Sequence, residues 1–345
     1  MHPGGRPDLQ ITPTGPGIRP TKSLTLNAVW RTDDAGLIRT RASATTEGRP
    51  NRVPGPSVRP SPRQGLVGES PAAAGRLAPD PPPHQFETGE RAGRAVTGTL
   101  TWWGHSTCTW QDGGTTVLFD PVLTVRLGHL RRVRGPVPPS DAAHADVILI
   151  SHLHADHTHL PSLGLIPRSA DLIAPAGSRR LLKPIAARGV KLREVQPGDL
   201  VEFGGLQICV LAADHDGRRH PGSLHRGPAL GYLVEGSRRC WYPGDTGPDL
   251  AFEEVAGINV ALVPVGGWGP TLGLGHLNPQ QAAQAVRLIH PDHAVPVHWG
   301  TWWPIGLPER SDLIDRPATA FAEQVARVAP TTRVHLLQHG QSVKL

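Results

Sequence analysis

The segment Ser151-His152-Leu153-His154-Ala155-Asp156-His157 carries four side chains able to bind a metal ion within six residues, directly after the apolar run VILIS at 147–151. A buried strand ending in a tight loop can point His152 and His154 to one side. Asp156 and His157 follow on the turn and can reach a second point close by. Imidazole and carboxylate are ligands that suit zinc, manganese or iron. Four such ligands cannot complete two metal sites, so other segments must contribute. Three candidates stand at the ends of further strand-like runs: His215 after LQICVLAAD, Asp245 after RCWYPG, and His298 after HAVPV.

With these residues in place, the chain resembles the metallo-β-lactamase-fold hydrolases over residues 97–345. The flanking segments WWGHSTC (102–108), LFDPVL (118–123), PGDTG (243–247), GHLNPQQA (275–282) and PVHWGTW (296–302) are similar to one branch. That branch includes N-acyl-phosphatidylethanolamine phospholipase D and the ascorbate-6-phosphate lactonases. The resemblance implies an α/β fold, a four-layer αββα sandwich with a two-metal cleft along one edge of the sheets. It implies one divalent ion on His152, His154 and His215, a second on Asp156, His157 and His298, and Asp245 bridging them. Zinc is the first expectation, with manganese or iron as alternatives. A metal-bound hydroxide then attacks a phosphorus or carbonyl carbon, since binding lowers the pKa of water from about 15.7 toward about 7. No Ser, Cys or Lys nucleophile is required, and Asp156 is expected to orient the attacking water. Where the branch usually reads PAxHWxxR, this chain reads AADHDGRR (212–219), and the missing Trp argues against a phospholipid substrate. A small phosphodiester or cyclic ester is the expected substrate. A lactonase is the alternative within enzymes, and a non-catalytic metal- or ligand-binding protein is the alternative of another class. The complete set of seven ligands argues against the last.

Around the ligands, the resemblance makes Asp120 the buried carboxylate beneath them, where it would fix the tautomer of a ligand histidine. A strand-end turn cap is its ordinary reading. The resemblance also has His276 face the substrate, as a proton donor to the leaving group. His105, in WWGHST, is either a structural hydrogen-bonding residue or part of the site lining. Arg218 and Arg219, in a basic loop after His215, are candidate clamps for a phosphate or carboxylate, because guanidinium pairs bidentately with such groups. Trp268, Trp299, Trp302 and Trp303 fall in the segments around the expected mouth.

These side chains need strands to hold them. TGTLTWWG (97–104), TCTW (107–110) and TTVLFD (115–120) read as short strands, and Gly113-Gly114 makes a hairpin of the last two. Further strands are expected at 147–151, 171–175, four times between 200 and 245, at 259–265, at 293–300 and near 333–337 and 342–345. Helices are expected at 178–189, at 279–290 with Asn278 as N-cap, and at 317–329. Strands, helix, strands and helix in that order suggest two packed sheets with helices outside them.

Composition narrows the rest. Residues 1–95 hold 15 of the 37 prolines and 13 Lys/Arg against 8 Asp/Glu, with no hydrophobic period, and are expected to be disordered. Residues 96–345 are nearly neutral, with 22 Lys/Arg against 21 Asp/Glu, and contain 16 of the 18 histidines. A near-neutral folded part argues against a nucleic-acid groove. Three Cys without a CxxC exclude a disulfide scaffold or a Cys-based zinc site. No apolar run spans a membrane. A cytoplasmic enzyme of a small-molecule substrate, with homo-oligomer formation open, is the expectation.

Overall fold

Side-chain alternation along the strands sorts the apolar residues into separate layers. Val117 and Phe119 join one buried cluster while Leu118 between them joins another; Val147 and Leu149 repeat the pattern around Ile148. In the second half of the chain, Tyr232 and Val234 face the same central cluster, and Leu233 faces a third. A strand with both faces apolar must be covered on both sides.

The computed structural model describes residues 28–32, 38–42, 98–248, 252, 255 and 257–345. In chain order the first two elements are β1 (Ala28–Thr32) and β2 (Ile38–Ala42), an antiparallel pair within a unit spanning Met1–Thr88. The expectation of disorder over 1–95 otherwise lies outside the described residues.

The second unit, Gly89–Leu345, opens with β3 (Thr99–Gly104), β4 (Thr107–Asp112), β5 (Thr115–Phe119), β6 (Arg126–Leu127), β7 (Leu130–Arg132) and β8 (Val147–Leu149). Then come α1 (Leu160–Leu163), β9 (Asp171–Pro175), α2 (Arg179–Ala186), β10 (Lys191–Val195), β11 (Leu200–Phe203), β12 (Leu206–Ala212), β13 (Leu230–Glu235), β14 (Arg239–Tyr242) and β15 (Val260–Pro264). The chain continues through α3 (Pro279–Ile289), β16 (His293–Val297), β17 (Trp302–Pro304), α4 (Ser311–Ile314), α5 (Arg316–Val328), β18 (Arg333–Val334) and β19 (Gln341–Lys344).

One seven-stranded sheet runs β10-β9-β8-β5-β4-β3-β19, and the other runs β11-β12-β13-β14-β15-β16-β18. Their inner faces meet in the central cluster, which includes Trp102, Trp110, Phe119, Tyr232 and Tyr242. α3 and α5 cover the outer face of the second sheet through Ala282, Val286, Phe321 and Val325. α1 and α2 cover the outer face of the first through Leu163, Leu182 and Ile185. This is the four-layer αββα sandwich.

Local chemistry sets the element ends. Gly113 and Gly114 both have positive φ (59° and 87°), which the tight turn between β4 and β5 needs. α3 starts with a full capping box: the Asn278 side chain accepts from Gln281 N, and the Gln281 side chain accepts from Asn278 N. A third small sheet, β17-β7-β6, was not expected from the sequence. The chain's last strand, β19, lies at the edge of the first large sheet, paired with β3. Among the described residues no helix is long and apolar enough to cross a membrane.

Candidate metal centre

β8 ends at Leu149, and the chain then turns through Ser151 and the histidine motif. Asp120, at the end of neighbouring β5, organises that turn. It is fully buried and accepts from Ser151 N (2.8 Å), from Ser151 Oγ, from Tyr242 Oη and from His157 Nδ1 (2.7 Å). Ser151 Oγ donates its proton to Asp120, so its oxygen is left to accept from His152 Nδ1 at 3.0 Å. Thr158 Oγ1 donates to His152 O at 2.6 Å.

The other ligand candidates are held the same way. His215 Nδ1 lies 2.8 Å from Gly275 O, and His298 Nδ1 lies 2.7 Å from Gly266 O. A carbonyl only accepts, so in both rings Nδ1 carries a proton and Nε2 is the nitrogen turned toward the cluster. Gly275 makes the first of these contacts possible: its φ is +72°, and a β-carbon there would stand 2.7 Å from His215 Nδ1.

The freed nitrogens converge. His154 Nδ1 lies 2.8 Å from His152 Nε2 and 3.2 Å from His215 Nε2. Burial lowers the pKa of His152 well below the usual range, brings His215 to about 4, and lowers His154 as well. Three neutral rings therefore aim lone pairs at one point. One proton on His154 could satisfy a single neighbour; a cation satisfies all three.

A second group stands beside it. His157 Nε2 is 3.1 Å from Asp245 Oδ2, and His298 Nε2 is 3.1 Å from Asp245 Oδ1. Both nitrogens are also 3.7 Å from Asp156 Oδ2. His157 Nε2, His298 Nε2 and Asp245 Oδ1 are buried without a hydrogen-bond partner, which marks a place built for something else. Burial disfavours charge on these rings, but it is outweighed by Asp245 with Asp156, so His157 is held well above its usual range and His298 at about 9. Burial likewise disfavours ionised Asp156 and Asp245, yet His157 and its neighbours hold both well below the carboxylate range. The carboxylates thus favour positive charge at this point, which a bound metal ion would supply. The donor set therefore fits metal binding on both sides.

Asp245 sits between the groups. Its Oδ2 is 3.8 Å from His152 Nε2 and 3.9 Å from His215 Nε2. Three sets of side chains could hold an ion among the described residues: His152, His154, His215 and Asp245; His105, Asp156, His157 and His298; and Asp245, His276 and His298.

His105 occupies the β3–β4 turn, 1% exposed, with Nε2 3.0 Å from Asp156 Oδ2. Its carbonyl accepts from His298 N at 2.9 Å, and its ring lies tilted against the His298 ring, centroids 4.0 Å apart. Burial lowers its pKa to about 3. His276 stands nearer the surface, with Nε2 3.3 Å from Asp245 Oδ2 and Nδ1 3.1 Å from Leu274 O. His105, Asp120 and His298 all have positive φ (49°, 39° and 60°), so among the described residues three of the four non-glycine residues in that region belong to this centre. Such strain persists only where surrounding contacts enforce it.

The two arginines have other partners. Arg219 Nη1 donates to Leu153 O at 2.9 Å and to Thr158 O at 2.6 Å, bracing the histidine loop. Its place in the basic loop suggested a ligand clamp, and in the structure its Nη1 is given to these two carbonyls. Arg218 forms a surface pair with Asp216. The sequence had not singled out the bond from Trp268 Nε1 to Asp156 Oδ2, at 3.1 Å. Trp302 and Trp303 are buried, and Trp299 stacks 5.0 Å from Trp102.

Comparison with known proteins agrees with this geometry. The sequence profile of the β-lactamase superfamily domain matches residues 115–299. A UPF0173 metal-dependent hydrolase of Methanopyrus kandleri is 28% identical over 254 residues, covering 70% of this chain and 98% of the relative. N-acyl-phosphatidylethanolamine-hydrolyzing phospholipase D 1 of Caenorhabditis elegans is 29% identical over 233 residues, covering 61% and 65%. The structure of a metallo hydrolase from Ignicoccus hospitalis superposes with a TM-score of 0.56 at 21% identity, over 72% of this chain and 99% of that one. A profile match over more than half of its length makes the chain a member of the metallo-β-lactamase superfamily, as a metal-dependent hydrolase.

Proposed function

We propose that the chain holds two divalent ions, zinc first, and hydrolyses an ester bond in a small phosphodiester or a cyclic ester. His152, His154 and His215 would hold one ion, Asp156, His157 and His298 the other, and Asp245 both. The observation that carries this reading is the position of Asp245, whose carboxylate lies 3.1 Å from histidines of one group and 3.8–3.9 Å from those of the other. Ions bound there supply a nucleophile from water at neutral pH and neutralise charge developing on the substrate oxygen.

The chain's own residues do the remaining work. Asp120, Gly266 and Gly275 fix ligand tautomers from outside the cluster. His105 and Trp268 both hold Asp156 Oδ2, the oxygen that also stands 3.7 Å from His157 Nε2 and His298 Nε2, and so fix the carboxylate beside them. His276, at the open side, can hand a proton to the leaving group.

The test is metal analysis of the full chain, followed by turnover of phosphodiesters, lactones and thioesters. Two ions per chain and phosphodiester or lactone hydrolysis are expected; preference for lactones would favour the lactonase alternative. Asp245→Ala should lose at least one ion and cut turnover by orders of magnitude. Full metal content with no turnover in any class would leave a binding protein. Near-normal turnover and metal content in Asp245→Ala would remove the bridge.

A further inference from the structure

Two backbone turns meet beside the second ligand group, and both are held in a conformation that residues with a β-carbon rarely adopt. Gly104 and His105, at the end of β3, have φ of 116° and 49°; His298 and Gly300, beyond β16, have φ of 60° and 63°. His105 and His298 are therefore strained on their own and persist there only because surrounding contacts enforce it. One contact joins the turns directly: His105 O accepts from His298 N at 2.9 Å, and from Trp102 Nε1 at the same distance.

Thr301 supplies the rest. It is 1% exposed and follows the second turn by one residue. Its Oγ1 accepts from His105 N at 2.7 Å and donates to Trp299 O at 3.0 Å. With the single hydroxyl proton committed, the oxygen accepts from His339 Nε2, 3.1 Å away. The His339 ring is itself seated against Trp102, centroids 4.4 Å apart. Gly104 lets the hydroxyl come this close, since a β-carbon there would stand 3.0 Å from Thr301 Oγ1 and 2.8 Å from His339 Cδ2. One buried oxygen thus ties together the chain at 105, 299 and 339. From there the ligand candidates are one step away: His105 Nε2 meets Asp156 Oδ2 at 3.0 Å, and Trp299 is joined to His298 by the backbone.

We infer that Thr301 is a positioning residue, whose hydroxyl locks both left-handed turns and so sets where Asp156 and His298 stand around the ion they would share with His157. His152 and His215 are fixed by other partners, Ser151 Oγ and Gly275 O. Thr301 therefore acts on one ion and not on the other. The inference rests on the two-ion reading for that selectivity, and on the hydrogen bonds of Thr301 for the rest.

The experiment loads the full chain with cobalt(II), whose visible absorption reports the coordination of each ion, and reads the retention of each ion by titration with a chromophoric chelator. Urea unfolding of the metal-free chain runs alongside. Thr301→Val keeps the shape and removes the hydroxyl. One of the two ions should then be held about tenfold less tightly, with altered bands for that ion alone. Thr301→Ser, which keeps the hydroxyl, should return both readings to those of the parent. If Thr301→Val fails to fold, Thr301→Ala removes the same hydroxyl and decides. Parent-like bands and retention in a folded variant without the hydroxyl overturn the inference. Equal loss of both ions, the result of plain destabilisation, overturns it too, as does a serine variant that behaves like the valine one. A parent chain that takes up a single cobalt ion sinks the two-ion reading instead, and Thr301 then stands or falls on the retention of that ion.

Discussion

His105 Nε2 lies 3.0 Å from Asp156 Oδ2, although the two residues sit on different turns of the first sheet, 51 positions apart. Trp268 Nε1 reaches the same oxygen at 3.1 Å. The carboxylate is therefore held from two sides before any ion arrives. His105→Phe keeps a buried ring and removes one holder. Loss of such an outer hydrogen bond should weaken retention of one metal ion by about 10–100-fold. Competition with a chromophoric chelator measures this, and unchanged retention would remove the role.

For His276, protonation of the leaving group predicts a kcat loss of about 10²–10⁴-fold in His276→Ala. The loss should shrink for a nitrophenolate leaving group, which needs little protonation. Its Nε2 is 3.3 Å from Asp245, so metal content is measured alongside. Equal kcat losses for good and poor leaving groups would reduce His276 to a positioning residue.

Arg219→Ala should act on stability. Its two bonds to carbonyls of the histidine loop are charge-assisted, and losing such a bond costs about 1.5–3 kcal/mol. Urea unfolding should show that loss while KM stays put. A raised KM at unchanged stability would restore the clamp.

His339 gives a pH dependence outside the ligand cluster. Burial first, then Arg132, lower its pKa to about 4. The unfolded chain, with His near 6.5, binds this proton more readily between those values. Stability from His339 is therefore full above pH 6.5 and is lost as pH falls toward 4. Between pH 7 and 5 the domain should lose about 1–2 kcal/mol from this residue. His339→Gln should flatten that part of the urea-midpoint profile; an identical slope in the variant would rule the residue out.

The proline-rich segment predicts a proteolytic boundary. Limited digestion should leave a stable fragment beginning near residue 95, and slow amide exchange across 20–80 would speak against a disordered segment.

The candidate ligands were legible because their chemistry is local: HLHADH packs four donors behind one apolar strand, and His215, Asp245 and His298 each follow another. α3 was legible for the same reason, through Asn278, Pro279 and the apolar spacing that follows. What escaped is long-range. β7 is three residues long and pairs with β17 some 170 positions later, so neither shows a period. Trp268 meets Asp156 across 112 positions, and Tyr242 meets Asp120 across 122. At Arg219 the charge is visible in sequence, whereas the buried carbonyls of Leu153 and Thr158 that its Nη1 meets are not.

β19 pairs with β3, and Ser342 Oγ lies 2.8 Å from Thr101 Oγ1, 241 positions away. On a ribosome this ordering has a cost in time. At about 5–20 residues per second, β3 waits on the order of 10–50 s between its own emergence and that of its edge partner. All seven ligand candidates emerge within that interval, so the metal-binding edge can assemble while one side of its sheet still exposes unpaired backbone. Such an edge invites pairing with another nascent chain. Metal taken up early would stabilise the half-finished sandwich against that outcome, and ion supply during synthesis would then bear on yield as well as on activity.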